Sequence, residues 1–186
     1  MTKRRLPKEL EVSSPKPLAG SEAAGHYARI AQGRDPLTPE QRSENMRRIK
    51  SRNTKPELLV RRALHARGLR FRLHDRSLPG KPDIVLPKWR AVILVHGCFW
   101  HGHGCHMGVL PRTNAEFWTE KISANRRRDT VQAAQLHALG WRVAVVWQCA
   151  LAGRNRKGID DVANILIDWL YGRSEALSIE GNGQDL

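Results

Sequence analysis

The spacing of hydrophobic residues predicts four helices along the chain. Two of them begin at threonines that can cap a helix, because Thr38 and Thr54 are each followed by an early proline and, three positions on, by a glutamine or glutamate. An apolar stripe extends the second of these helices to about Gly68. The same kind of pattern predicts a long helix over residues 113–139 and a closing amphipathic helix over residues 159–171.

Apolar runs between these helices predict the strands of a central sheet. Residues 83–86, 91–95 and 141–147 are short and apolar, which is typical of buried strands, whereas residues 69–73 alternate apolar and basic side chains. Strands and helices in this order indicate an α/β protein with a mixed central β-sheet flanked by helices. Three tryptophans on the periodic segments are expected in the core: Trp141, Trp147 and Trp169.

The two ends of the chain lack such periodicity. Residues 1–36 are rich in proline, lysine, glycine and alanine, which predicts a flexible basic arm whose charge can reach phosphates. Residues 173–186 are polar and mildly acidic, and we expect a loose tail there. A chain of 186 residues with 40% hydrophobic content has room for one ordinary domain, which we place at residues 37–172.

The charge of the chain indicates a polyanionic partner. Its 32 lysines and arginines exceed its 18 aspartates and glutamates, which gives a formal net charge of +14. A generally basic protein is the alternative, but the charges cluster near aromatic residues, which favours nucleic acid. No apolar stretch is long enough to span a bilayer, and no signal-peptide pattern follows the N-terminus, so we expect a cytoplasmic, nucleoid-associated protein without a membrane partner. The basic clusters are Lys3–Arg5, Arg47–Arg52, Arg61–Arg62 and Arg126–Arg128.

The cysteines predict a structural zinc site. An odd number of cysteines argues against a closed disulfide framework. Cys98, His103 and Cys105 fall within eight residues, and Cys149 follows a predicted buried strand. Four such ligands close a tetrahedral zinc site, which is structural rather than catalytic. The alternative is that the cysteines simply pack in the core, and the choice of ligands stays open because further histidines share the loop: His96, His101 and His106.

A second group of residues is compatible with phosphodiester hydrolysis. Asp83 starts one predicted strand, His96 ends the neighbouring strand, and His101 follows shortly after. The carboxylate can hold a magnesium ion while the imidazoles orient or deprotonate water. The alternatives are a turn aspartate, and histidines that bind zinc or merely occupy the loop. Glu57 also has a plain structural alternative, because it occupies the glutamate position of a capping box.

Large aromatic residues accompany the histidine-rich loop. Phe99 and Trp100 lie within it, and Trp118 is near the start of the next helix. Such side chains can wedge between base steps, and wedging costs less at a mismatch because less stacking is lost there. The alternative for each aromatic residue is ordinary core packing.

Six segments of the chain form a specific combined pattern: Arg42–Arg47, Ser77–Asp83, His96–His101, Glu116–Trp118, Leu139–Val143 and Val146–Leu151. Together they resemble the very short patch repair (Vsr-type) DNA mismatch endonucleases. The resemblance runs from about Thr38 to about Leu170 with little change in spacing, and it implies a restriction-endonuclease-like fold with a structural zinc site.

The resemblance also implies an activity. It is the magnesium-dependent nicking of one strand of duplex DNA on the 5′ side of the thymine in a T:G mismatch, which repairs deaminated 5-methylcytosine. A cytosine methyltransferase is then the expected genetic companion, and a monomer suffices for a single nick.

The resemblance assigns roles to particular residues. Asp83 and the backbone carbonyl of Val95 match the magnesium ligands. His96 and His101 match residues that serve catalysis, and Glu57 matches one that assists. The remaining matches are the zinc ligands Cys98, His103, Cys105 and Cys149, and the intercalating aromatics Phe99, Trp100 and Trp118.

The chain departs from the family pattern at a few positions. Gly102 and Gly104 interrupt a run of histidines that family members often carry, which leaves His103 as the clearest histidine ligand for zinc. Val95 stands where threonine is common, so a backbone carbonyl remains for the metal but a hydroxyl is lost. The arm of residues 1–36 is longer than the family core needs. Two other functions stay open: an endonuclease of the same fold with a different trigger, and a non-catalytic, zinc-stabilised DNA-binding protein.

Overall fold

The computed structural model describes residues 38–48 and 52–183. The helices are α1 (Pro39–Arg48), α2 (Lys55–Ala66), α3 (Ala115–Ala138), α4 (Gln148–Leu151) and α5 (Ile159–Tyr171). The strands are β1 (Arg72–Leu73), β2 (Ile84–Leu86), β3 (Ala91–His96), β4 (Arg142–Trp147) and β5 (Ala176–Ile179). The predicted arm of residues 1–36 lies outside the described residues.

The strands form one five-stranded sheet in the order β1-β2-β3-β4-β5. The β1–β2 and β2–β3 pairs are antiparallel, whereas β3–β4 and β4–β5 are parallel, so the predicted mixed sheet is confirmed. Because β2 runs against β3, the residue before β2 lies beside the end of β3. In the parallel pair, His96 at the end of β3 is opposite Trp147 at the end of β4.

Helices cover both faces of this sheet. Alternate strand residues point to opposite faces, so Ile84 and Leu86 pack with α2 and α5, whereas Val85 packs with Leu136 of α3. The larger core lies on the α2 and α5 side and includes Leu64, Ile93, Val146, Val162 and Leu166. His96 and Trp147 follow residues of this core by one position on their strands, and they therefore lie on the α3 side.

The C-terminal segment differs from the expected loose tail, because residues 176–179 form β5. Ile179 is buried and Leu177 packs against the larger core, so the segment does alternate between apolar and polar positions. That alternation covers only four residues within a polar stretch. A pattern this short does not distinguish a strand from an irregular tail. The structure also shortens the predicted strand of residues 69–73 to β1, although Leu69 and Phe71 still pack on the core.

The three tryptophans that were expected in the core have different positions. Trp169 is buried in the larger core, as predicted. Trp141 is half-buried and packs on the α3 side. Trp147 is also half-buried, but its ring contacts two histidines, so its assignment to the core was wrong.

Candidate functional site

One cavity of about 1200 Å³ lies where β2 begins and β3 ends. Four of the predicted catalytic and metal-binding side chains line it: Glu57, Asp83, His96 and His101. Val95 lines it as well. Further lining residues that sequence reasoning did not single out are His74, Asp129, Gln132 and Gln148. Cationic side chains also face the cavity, and they are Arg52, Lys55, Arg76 and Lys81.

Asp83 holds its carboxylate beside the end of β3. One oxygen, Oδ2, accepts a hydrogen bond from the backbone N–H of Val95 at 2.8 Å. Burial raises the pKa of Asp83 from 3.8 to about 6, and the nearby Glu57 adds to this effect, whereas the bond from Val95 opposes it. Ionising a buried carboxyl group costs free energy, and a cation bound beside it would offset that cost by stabilising the charged form.

Glu57 is buried and makes a dense set of contacts. Its Oε2 receives Arg61 at 2.7 Å and the backbone N–H of Asn53 at 2.9 Å. Its Oε1 receives the Thr54 hydroxyl at 3.0 Å, and its own N–H donates to Oγ1 of Thr54, so Glu57 has the N-terminal helix position that the sequence predicted as the alternative, with the N–H of Asn53 in place of that of Thr54. The structure therefore places Glu57 both at a helix cap and in the cavity wall.

His74 is a cavity residue that the sequence analysis missed. It has a positive φ of 48°, which is uncommon for a residue other than glycine. Its Nε2 is 2.8 Å from Arg61, and because a guanidinium can only donate, this nitrogen is the acceptor and Nδ1 carries the proton. Nδ1 lies 3.8 Å from Asp83. The imidazole thus sits between the carboxylates of Glu57 and Asp83.

His96 and His101 form a parallel stack with ring centroids 3.8 Å apart. Burial lowers the pKa of His96 to about 4, and the neighbouring His101 contributes, so His96 is a neutral imidazole near pH 7. Nδ1 of His101 lies 2.6 Å from a carboxylate oxygen of Asp129. This partner fixes the ring of His101 so that Nε2 is the nitrogen available to a water or a substrate.

The sequence analysis missed Asp129, because it directly follows three arginines and was read as part of a charged surface segment. A usable signal exists, since Asn125, Asp129 and Gln132 recur at helical spacing between the buried residues Ile122 and Leu136. Polar residues on the buried face of an amphipathic helix point to a site. In the structure, Asn125 donates to the carbonyl of Trp100, so this stripe of α3 holds the histidine loop.

The four predicted zinc ligands converge in a second cluster. Ligand atoms of Cys98, His103, Cys105 and Cys149 all lie within 4.8 Å of one another. A tetrahedral zinc ion, with bonds of about 2.3 Å to sulfur and about 2.05 Å to nitrogen, separates the two ligand atoms by about 3.6 Å. The distance from Cys149 Sγ to His103 Nδ1 is 3.6 Å, so the arrangement fits a closed zinc site.

Outer contacts support the same cluster. The other ring nitrogen of His103, Nε2, lies 2.8 Å from a carboxylate oxygen of Glu180, as is usual for a metal-binding histidine. The backbone N–H of Gly181 donates to the sulfur of Cys149. The hydrogen bond between the two thiol groups raises the pKa of Cys98 and lowers that of Cys149 to about 4. Cys149 is therefore ready to act as a thiolate ligand.

The predicted intercalating residues pack against one another. Ring centroids are 5.1 Å apart for Phe99 and Trp100, and 5.1 Å apart for Phe99 and Trp118. Trp118 is 8% exposed, and the cluster also includes Leu110, Ile122 and Met46 of α1. Core packing thus describes these side chains in the protein without DNA, and their insertion into DNA stays a prediction.

The basic clusters of the sequence separate into two kinds. Arg126, Arg127 and Arg128 are exposed on α3, as a phosphate-binding surface requires. Arg61 is 7% exposed, because it is paired with Glu57, so it does not belong to such a surface.

The open mixed sheet is that of an α/β protein, and the carboxylates and imidazoles of its cation-lined cavity are groups that phosphodiester hydrolysis uses. Residues 34–107 match the family model described as DNA mismatch endonuclease Vsr. The chain belongs to the Vsr family. Within the described residues, no helix has the length and apolar character that crossing a membrane requires.

Individual relatives agree with this family assignment. The chain is 44% identical over 142 residues to the DNA mismatch endonuclease Vsr of Escherichia coli, which covers 76% of this chain and 91% of the relative. It is 57% identical over 118 residues to the type II nicking enzyme V.XorIIP of Xanthomonas oryzae pv. oryzae, covering 63% of this chain and 87% of the relative. It is 46% identical over 120 residues to the type II nicking enzyme V.NmeAIP of Neisseria meningitidis, with coverages of 64% and 86%.

Proposed function

We propose that this protein is a DNA endonuclease that nicks one strand of a duplex on the 5′ side of the thymine in a T:G mismatch, by magnesium-dependent hydrolysis. The observation that carries the proposal is that Asp83, His96 and His101 line one cavity together with cationic side chains. The names of the relatives, a mismatch endonuclease and nicking enzymes, support the choice of reaction. The order and mixed directions of the strands are compatible with a restriction-endonuclease-like fold. Because β5 belongs to the sheet, the domain extends beyond the boundary at residue 172 that the sequence predicted, to at least Ile179.

Asp83 and the backbone carbonyl of Val95 are the residues that would hold magnesium. The carboxylate is buried, one of its oxygens is fixed by Val95, and the raised pKa shows that its charge lacks full compensation. Magnesium prefers oxygen ligands and keeps several waters, so two protein ligands are enough. When bound, the ion supplies positive charge to the phosphoryl oxygens of the DNA.

The imidazoles supply proton transfer. Asp129 orients His101 through Nδ1, so Nε2 of His101 can accept a proton from the attacking water. His96 is neutral and stacks on His101, and we assign it to orienting the same water. Glu57 assists through the cavity wall that it builds with Arg61.

Substrate selection is assigned to the aromatic cluster of Phe99, Trp100 and Trp118. These rings adjoin the cavity through Trp100, and a wedge there costs least where base stacking is already weakened. The exposed arginines 126–128 of α3 provide a sequence-independent contact to phosphates. A cytosine methyltransferase is the companion that this repair reaction implies.

The cysteine–histidine cluster is assigned to structural zinc. All four ligands come from protein, which leaves no open position for a substrate. The zinc would tie the histidine loop of residues 96–105 to Cys149 on α4. We further propose a monomeric, cytoplasmic enzyme.

A nicking assay tests the proposal. Duplexes that are identical except for one base pair would carry T:G, each other mismatch, or T:A, with and without magnesium. We expect one nick on the 5′ side of thymine in the T:G duplex with magnesium, and we expect Asp83→Ala to abolish it while DNA binding remains. Asp168→Ala is the matched control, because Asp168 is an exposed carboxylate on α5 that does not line the cavity. Equal nicking of T:A would favour an endonuclease with another trigger, and binding without nicking would favour a pure DNA-binding protein.

A further inference from the structure

Trp147 lies between the cysteine–histidine cluster and the catalytic cavity. On one side its ring stacks on His103, with centroids 4.3 Å apart and an angle of 24° between the planes. On the other side it makes an edge contact with His96, with centroids 5.4 Å apart and an angle of 75°. One tryptophan ring therefore touches a histidine of each site.

Strand β5 and the residue that follows it hold both members of the stack. Nε1–H of Trp147 donates to the hydroxyl of Ser178 at 3.0 Å. Nε2 of His103 lies 2.8 Å from Glu180. Because side chains two positions apart along an extended chain point the same way, Ser178 and Glu180 approach the stacked rings from one side. Each ring is thus held by a ring contact and by a hydrogen bond.

His96 lies between the rings of His101 and Trp147. It stacks on His101 at 3.8 Å and meets the edge of Trp147 at the end of the adjacent parallel strand. Aromatic pairs of this kind have preferred geometries, so a rotation of Trp147 changes the best orientation of His96. The contacts form a continuous path from Glu180 through His103 and Trp147 to His96.

We propose that Trp147 is a positioning residue, which Ser178 and the Glu180–His103 pair hold in place and which sets the ring orientation of His96. This rests on the proposed function only for the role of His96 in the reaction. The zinc-binding cluster and the C-terminal strand then do more than stabilise the fold, since they determine the geometry at the cavity. Glu180 has a further part, because it keeps the proton of His103 on Nε2 and leaves Nδ1 for the cluster.

The first test is spectroscopic and does not depend on activity. Histidine ring ¹H–¹⁵N spectra of the full zinc-loaded chain would be compared for wild type, Ser178→Ala, Glu180→Ala and the double variant, with the His96 resonances assigned by His96→Gln. Ser178 and Glu180 are proposed to act on His96 through Trp147. We therefore expect the His96 resonances to shift in both single variants. Glu175→Ala is the matched control, because Glu175 is an exposed glutamate just before β5 and should leave these resonances unchanged.

The second test is kinetic. We expect Trp147→Leu to lower kcat for nicking about tenfold with little change in KM for DNA, and Trp147→Phe, which keeps a ring between the two histidines, to stay closer to wild type. If Trp147→Leu does not fold, the double variant of Ser178 and Glu180 replaces it, with the same expectation. Unshifted His96 resonances in that double variant would overturn the proposal. If neither the wild type nor any variant nicks any duplex, the proposed function is wrong. The spectra then still decide the role of Trp147.

Discussion

Replacing Asp83 with asparagine tests whether the protein leaves the negative charge of this carboxylate without full compensation, so that a cation can bind to it. The amide is nearly isosteric, and its carbonyl oxygen can still accept the hydrogen bond from Val95 N–H. The variant loses the negative charge and keeps the shape. We therefore expect it to lose magnesium-dependent nicking and yet to be more stable than wild type at neutral pH without magnesium.

The size of the stabilisation follows from the pKa of Asp83. The folded chain raises this pKa from 3.8 to about 6, and each pKa unit corresponds to about 1.4 kcal/mol. Below pH 3.8 the carboxyl is protonated whether or not the chain is folded, so the two proteins should differ little. As the pH rises towards 6, the unfolded chain releases its proton first and the wild type loses stability. Above pH 6 the full cost of about 3 kcal/mol remains.

Urea unfolding at several pH values measures this difference. Buffers free of magnesium but also free of chelators are needed, so that zinc is retained. The variant should be more stable by about 3 kcal/mol at pH 7.5 and by less than about 1 kcal/mol at pH 4, and magnesium should stabilise only the wild type. A variant that is less stable at pH 7.5, or a difference that does not vary with pH, would refute the account of Asp83.

Three further predictions concern other parts of the site. Asp129→Asn should lower kcat for nicking about 100-fold with little change in KM, because His101 loses its carboxylate partner at 2.6 Å; unchanged steady-state kinetics would count against it. Cys149→Ser should lower both the zinc content and the Tm, since one of the four ligands is lost; atomic absorption and thermal melting measure these, and full zinc retention would be the contrary result. Trp118→Ala should cost about 3–5 kcal/mol in urea unfolding, whereas Phe117→Ala should cost less than about 1 kcal/mol, because these side chains are 8% and 54% exposed; equal losses would contradict the packing described.

The sequence predicted that the three cysteines converge with a histidine, although the choice of His103 among the histidines of the loop came from the family resemblance. Three ligands are local to one loop, and Cys149 follows a strand whose burial is visible in the apolar pattern. Asp83 and His96 line one cavity because neighbouring antiparallel strands bring the start of one beside the end of the other, and their catalytic roles stay predictions. Local order and strand pairing are the features that a hydrophobic pattern encodes directly.

Most of what the sequence analysis missed depends on tertiary contacts that the pattern does not encode. Arg61 was grouped with the exposed basic residues, but helix α2 turns it inward onto Glu57. His74 reaches the cavity through a left-handed backbone conformation that no turn motif announced. Asp129 was hidden behind three arginines, although its helical face is polar at regular intervals. Strand β5 was missed because its largely polar residues become a strand by pairing with β4, which the sequence pattern does not reveal.

The most direct test of the central claim is the position of the divalent ion in a complex with DNA. Crystals of the chain with a T:G duplex and manganese in place of magnesium would locate the ion by its anomalous scattering. The account predicts a peak in the cavity, within coordination distance of an oxygen of Asp83 and of the carbonyl oxygen of Val95, with the phosphate 5′ of the mismatched thymine beside His101. Manganese bound away from Asp83, with that phosphate outside the cavity, would contradict it.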